Sequence, residues 1–136
     1  MNVSDLMTGP ADRLVCAART VTLARLAEMI SHHNVGALPI LDEDNGLCGV
    51  LSERDIVRAL ALDGHAALTL TAGELMTRAV ITCPPTATLE AARRLMLKHG
   101  IRHLPVTAED GTLVGVVSQR DLIAAVDLRP HADQAA

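Results

Sequence analysis

The chain repeats itself. Gly49-Val50-Leu51-Ser52-Glu53-Arg54-Asp55 returns 66 residues later as Gly115-Val116-Val117-Ser118-Gln119-Arg120-Asp121. The same 66-residue offset carries Leu38-Pro39-Ile40 onto Leu104-Pro105-Val106, and Thr22-Leu23 onto Thr88-Leu89. Leu6-Met7-Thr8 matches Leu75-Met76-Thr77 at an offset of 69, so the first copy carries three extra residues just after that segment. Several blocks in one order at one spacing mark two copies of a single supersecondary unit. Such a unit is too thin to bury its own apolar faces, so the copies are expected to pack on each other about a pseudo-twofold axis. The division this predicts is 1–66, 67–128 and a frayed polar tail over 129–136.

Both copies read alike. Thr22 or Thr88 stands as a helix cap before apolar residues at helical spacing: Leu23, Leu26 and Ile30, or Leu89, Ala92 and Met96. A short apolar run follows, Ala37 to Leu41 or His103 to Val106, then a turn rich in Asp, Asn and Gly, then a second run, Leu47 to Leu51 or Leu113 to Val117. Pro39 and Pro105 inside the first run predict an edge or strand-start position there. A second helix is expected from Ser52 or Ser118, carrying Ile56 and Val57 or Leu122, Ile123 and Val126. A short lead-in strand precedes each unit at Leu14-Val15-Cys16 or Val80-Ile81-Thr82, and Asp63 to Thr71 reads as the connection. The fold class is therefore α/β (α+β), helix–strand–strand–helix twice over.

Composition narrows the chemistry. Of the 136 residues 49% are hydrophobic, yet Phe, Tyr and Trp are absent, so the core is aliphatic and no ligand base can stack on an aromatic ring. A purine site here is an aliphatic slot. The net charge of −4 and the lack of a basic stripe argue against nucleic acid as a partner. No apolar stretch reaches membrane-spanning length and no secretory signal stands at the N-terminus, which predicts a cytoplasmic protein with no membrane partner. Cys16, Cys48 and Cys83 lie far apart and form no metal-binding pair, and read as reduced, packed thiols. His32-His33 closes a helix, where cationic side chains suit the dipole, and is not read as a metal site.

The Ser-x-Arg-Asp motif supports two readings. With Ser52 capping a helix, Arg54 and Asp55 fall in its first turn, where free backbone N–H groups and the positive dipole end attract anions. Hydroxyl, guanidinium and N–H groups then form a phosphate cradle, and the carboxylate accepts ribose hydroxyls. The preceding glycine would let a ligand approach the strand closely. The same spacing is also a capping box, in which Ser and Asp only satisfy orphan N–H groups. No nucleophile–base pair and no metal-ligand cluster appears, so no catalytic residue is assigned and no cofactor is required.

Doubled Leu-Pro-aliphatic and Gly-x-x-Ser-x-Arg-Asp blocks covering roughly Val3 to Asp127 resemble the cystathionine-β-synthase (CBS) domain pair, or Bateman module, of the stand-alone kind. That resemblance implies regulation: an adenosine-containing ligand (AMP, ADP, ATP, NAD(H) or S-adenosylmethionine) in the cleft between repeats, a homodimer joined through helices, and an unidentified protein target. It implies ribose contacts for Asp55 and Asp121, phosphate contacts for Ser52, Ser118, Arg54 and Arg120, and a place beside the base for Thr82 and its counterpart Cys16. It also turns Arg102 and His103 toward phosphate, and their counterparts Gly36 and Ala37 likewise. Because the first copy has Gly36-Ala37 where the second has Arg102-His103, phosphate is expected on the repeat-2 side. The alternative is a dimeric interaction scaffold with vestigial clefts.

Overall fold

In a computed structural model, residues 1–7 and 14–128 are described, with side chains as far as 125. The 129–136 tail and the Val126 side chain lie outside them. Each repeat folds as its local signals dictate. After the short strand β1 (Ala17–Ala18), α1 (Leu23–His33) starts at Thr22, whose hydroxyl accepts a hydrogen bond from the Arg25 N–H, and stops at Asn34, which takes the left-handed conformation at φ 53°. Strands β2 (Ala37–Leu41) and β3 (Leu47–Ser52) form an antiparallel hairpin. Its turn is held by Asp42, whose Oδ1 accepts from the Asp44 and Gly46 N–H groups. Helix α2 (Glu53–Asp63) follows directly. The second repeat matches it with α4 (Leu89–His99), β4 (His103–Thr107), β5 (Leu113–Ser118) and α5 (Gln119–Leu128). The hairpins share one register: Ala37 faces Ser52 as His103 faces Ser118.

The connection is more ordered than a plain linker. Gly64–Thr69 winds as a 3₁₀ turn with Ala67 fully buried, and Ala72–Leu75 forms the one-turn helix α3. No helix among the described residues is long and apolar enough to cross a membrane.

Two expectations change. The prolines do not mark a sheet edge: β2 lies between β1 and β3, and Pro39 is among the fully buried side chains. The second repeat shows how this is tolerated. The Cys83 N–H donates to the Pro105 carbonyl and the Thr107 N–H donates to the Cys83 carbonyl, so alternate β4 residues face the lead-in and the others face β5. Pro105 faces the lead-in, so its missing N–H takes nothing from the hairpin ladder. The lead-in pairs one residue later than the sequence suggests, at Ala17–Ala18 and Cys83, leaving Cys16 and Thr82 just before it.

The two cores exchange their leading segments. Leu23, Leu26, Leu38, Ile40 and Leu51 build the first core, and Ala67, Ala72 and Met76, which lead into the second repeat, complete it. Leu104, Val106, Val117 and Met96 build the second, joined by Val3 from the chain's start. The Val3 N–H donates to the Ala87 carbonyl at 2.8 Å, and Val50 and Thr77 exchange backbone hydrogen bonds at 3.1 and 2.9 Å. This exchange also explains the strand glycines. The space a Cβ would need on Gly49 holds the Met76 thioether, and that on Gly115 holds Met7. Contrary to the sequence expectation, these glycines admit a methionine of the exchanged segment and not a ligand.

Candidate functional site

A cavity of about 310 Å³ opens where the repeats meet. The first repeat supplies Gly36 and Ala37 at the start of β2, with Ser52, Arg54 and Asp55 at the start of α2. The second supplies Arg102, just ahead of β4, and His103, its first residue. Seven of the twelve residues singled out from sequence thus share one space. Cys16, Thr82, Ser118, Arg120 and Asp121 do not line it. Arg102 and His103 thus reach the motif of the first repeat while staying beside their own: His103 pairs with Ser118 across the hairpin, the Gln119 N–H donates to the Arg102 carbonyl, and Asp121 and Arg120 act on the His103 ring. The segment matching Thr77 on the other side begins at Thr8, outside the described residues.

Other lining residues were not among those singled out as ligand-binding from sequence. Val80 and Ile81 form an aliphatic wall from the second lead-in, while Glu53 and Arg58 add charge from α2. Arg58 follows Asp55 by three residues, one helical turn, and its guanidinium lies 3.6 Å from the Asp55 carboxylate. That spacing was a signal available in the sequence.

The helix start is largely self-satisfied. Asp55 Oδ2 accepts from the Ser52 N–H at 2.9 Å, and Ser52 Oγ accepts from the Asp55 N–H at 3.3 Å. Ser118 and Asp121 repeat the arrangement at 2.8 and 3.0 Å. These are reciprocal capping boxes. The Glu53 N–H donates to the Gly36 carbonyl and the Gln119 N–H donates to the Arg102 carbonyl, at 3.0 and 2.8 Å. Of the α2 N–H groups expected to cradle phosphate, those of Glu53 and Asp55 are already spent. That leaves the Arg54 N–H and the side chains as the donors at this helix start.

His103 is a half-buried titratable group of the cleft. Burial pushes its pKa below the ordinary 6.5, Glu53 and Asp121 pull it back, and Arg120 and Arg102 push it further down. Burial also raises the Cys16 and Cys83 thiols, which keeps them protonated and weakly nucleophilic. A larger cavity of about 500 Å³ lies between α4 and α5. It is a groove edged by Leu97 and Ile123, with no hydroxyl or motif aspartate in its wall, and lacks the polar convergence of the cleft.

The CBS domain family model matches residues 3–62 and 72–128. An uncharacterised 17.7 kDa protein of Acidianus ambivalens is 35% identical over 106 residues, covering 78% of this chain and 63% of that protein, so the chain spans less than two thirds of this relative. The CBS domain pair of protein MJ0100, solved with 5′-methylthioadenosine and S-adenosyl-L-methionine, superposes with a TM-score of 0.81 at 28% identity, covering 93% of this chain and 96% of that one. CBSX2 in complex with AMP superposes at 0.79 and 28% identity, with 92% and 95% coverage. With the doubled fold, the matched registers and the family match spanning both repeats, the chain belongs to the CBS domain family.

Proposed function

We propose that this chain is a regulatory module that senses an adenosine-containing ligand (AMP, ADP, ATP, NAD(H) or S-adenosylmethionine) in the cleft between its repeats. The observation that carries this reading is the meeting of Ser52, Arg54 and Asp55 from one sequence unit (1–66) with Arg102 and His103 from the other (67–128) on one cavity. Asp55 is the ribose acceptor, Arg54 and Arg102 are phosphate donors, and Val80 and Ile81 offer the aliphatic surface that an adenine needs where no aromatic ring exists. AMP and S-adenosylmethionine in the neighbouring structures support the ligand class. A ligand that bridges the units changes their relative geometry, and that is the signal.

The output is a protein contact, made by a homodimer in the cytoplasm. Val57 and Ile123 occupy equivalent positions on α2 and α5, and both are exposed, at 64% and 59%, as a helix-mediated dimer face requires. No catalytic role is assigned to any residue. The self-satisfied capping boxes favour one alternative, a dimeric scaffold whose clefts stay empty. Thermal unfolding with AMP, ATP, NADH and S-adenosylmethionine separates the two. A ligand at a hundred times its Kd stabilises the native state by about 2.7 kcal/mol. A shift with at least one of them supports the sensor, and no shift with any supports the scaffold.

A further inference from the structure

The cleft's charges are mixed. Its walls carry the guanidinium groups of Arg54, Arg58 and Arg102 against the carboxylates of Glu53 and Asp55, three against two. Arg58 is already 3.6 Å from the Asp55 carboxylate, and burial holds His103 toward its neutral form. Arg54 and Arg102 are then the guanidinium groups of the cleft that pair with no carboxylate among the described residues. Glu53 sits at the repeat junction. Its Oε1 lies 3.8 Å from the point where a Cβ on Gly36 would stand, and the His103 ring approaches the same point to 2.8 Å. The carboxylate thus occupies the end of the cavity where residues 102 and 103 enter. At about 310 Å³, the space is near the lower end of the roughly 300–1,000 Å³ usual for small-molecule sites.

We propose that Glu53 is a selectivity residue that restricts the cleft to ligands bearing a single phosphate group, so that a nucleoside monophosphate binds in preference to its di- and triphosphates. The inference rests on the reading of this cleft as an adenosine-ligand site. One phosphate is matched by the two unpaired guanidinium groups. A second and a third bring further negative charge toward the Glu53 carboxylate and meet no unengaged cation of the cleft among the described residues. Like charges a few ångströms apart repel strongly where water is partly excluded. Glu53 is solvent-exposed, so the discrimination shrinks as salt rises.

The test is calorimetric titration with adenosine, AMP, ADP and ATP, using EDTA to remove divalent cations that would mask phosphate charge. Wild-type protein is expected to bind AMP at least about tenfold more tightly than ATP. Glu53→Gln is expected to narrow that gap about fivefold or more, chiefly by a gain for ATP, and Glu53→Lys to narrow it further or reverse it. ATP binding as tightly as AMP in the wild type, or a Glu53→Gln variant that moves all three nucleotides alike, overturns the selectivity role. If adenosine binds without any preference among the phosphorylated forms, the adenosine reading stands and this inference falls. If none of the four binds, this inference falls, and titration with NADH and S-adenosylmethionine then decides the adenosine reading separately.

Discussion

His103 and Gly36 meet across the junction of the two repeats, with the ring atoms Cε1 and Nε2 2.8 Å from where a Cβ on Gly36 would stand. Gly36 is not among the residues of positive φ, so what it supplies is the missing side chain and not an unusual backbone. Gly36→Ala is therefore expected to lower stability by about 1–3 kcal/mol through overpacking. In a His103→Ala background the same substitution should cost far less. Urea unfolding of the single and double variants checks this, and equal losses in both backgrounds would remove the contact as the cause.

His103 also sets a pH dependence. Its folded-state pKa lies below 6.5, so as pH falls the unfolded chain takes up the proton first. Its contribution to stability is complete above about pH 6.5 and drains away as the pH drops below that toward the folded-state pKa. The melting temperature of wild type is expected to fall more steeply than that of His103→Gln between about pH 7 and about pH 5. Parallel profiles would contradict it.

Asp55 and Asp121 separate capping from binding. Both close capping boxes, so replacing either by Ala is expected to cost about 1 kcal/mol. Only Asp55 lines the cleft. Asp55→Ala should also weaken AMP binding there by about tenfold or more, while Asp121→Ala leaves that affinity within about twofold. Equal effects on affinity, read by calorimetry, would mean that neither carboxylate reads ribose at this site.

Arg102 distinguishes phosphate reading from shape. Charge-assisted hydrogen bonds from arginine to phosphate are worth about 1.5–3 kcal/mol, so Arg102→Ala should cost AMP roughly tenfold or more in affinity. Adenosine, which lacks the phosphate, should lose little. Equal losses for both ligands would show that Arg102 only shapes the wall.

What the sequence made legible was local. Thr22, Thr88 and Ser52 cap their helices as their positions suggest, and both hairpins close around the expected turns. Cap and turn chemistry acts over three or four residues, so it is written where it operates. The cleft was legible by halves. Each repeat announces its own Ser-x-Arg-Asp, but which motif receives Arg102 and His103 depends on how the repeats dock. Repeat-by-repeat reading grouped Arg120 with them, and the fold adds Ser52, Arg54 and Asp55 from the other repeat. Gly49 and Gly115 were misread for a related reason. A glycine in a strand signals close approach, but its identity cannot say what approaches, and here it is a methionine from far along the chain.

The exchanged leading segments bear on how such a chain could arise. A single copy of the unit, with the segment ending in Leu-Met-Thr at its front, has no way to fill its own core in this arrangement. Val3 lies in the partner repeat's core, and Ala72 and Met76 lie in the first. An isolated ancestor built on this plan would have been a segment-exchanged pair of separate polypeptides, each lending its front segment to the other. Joining the two genes end to end would turn that loan into an internal one, held at a fixed local concentration and independent of how dilute the protein is. Once joined, each half is free to diverge in its cleft, as Gly36-Ala37 and Arg102-His103 have, but neither can be removed without opening the other.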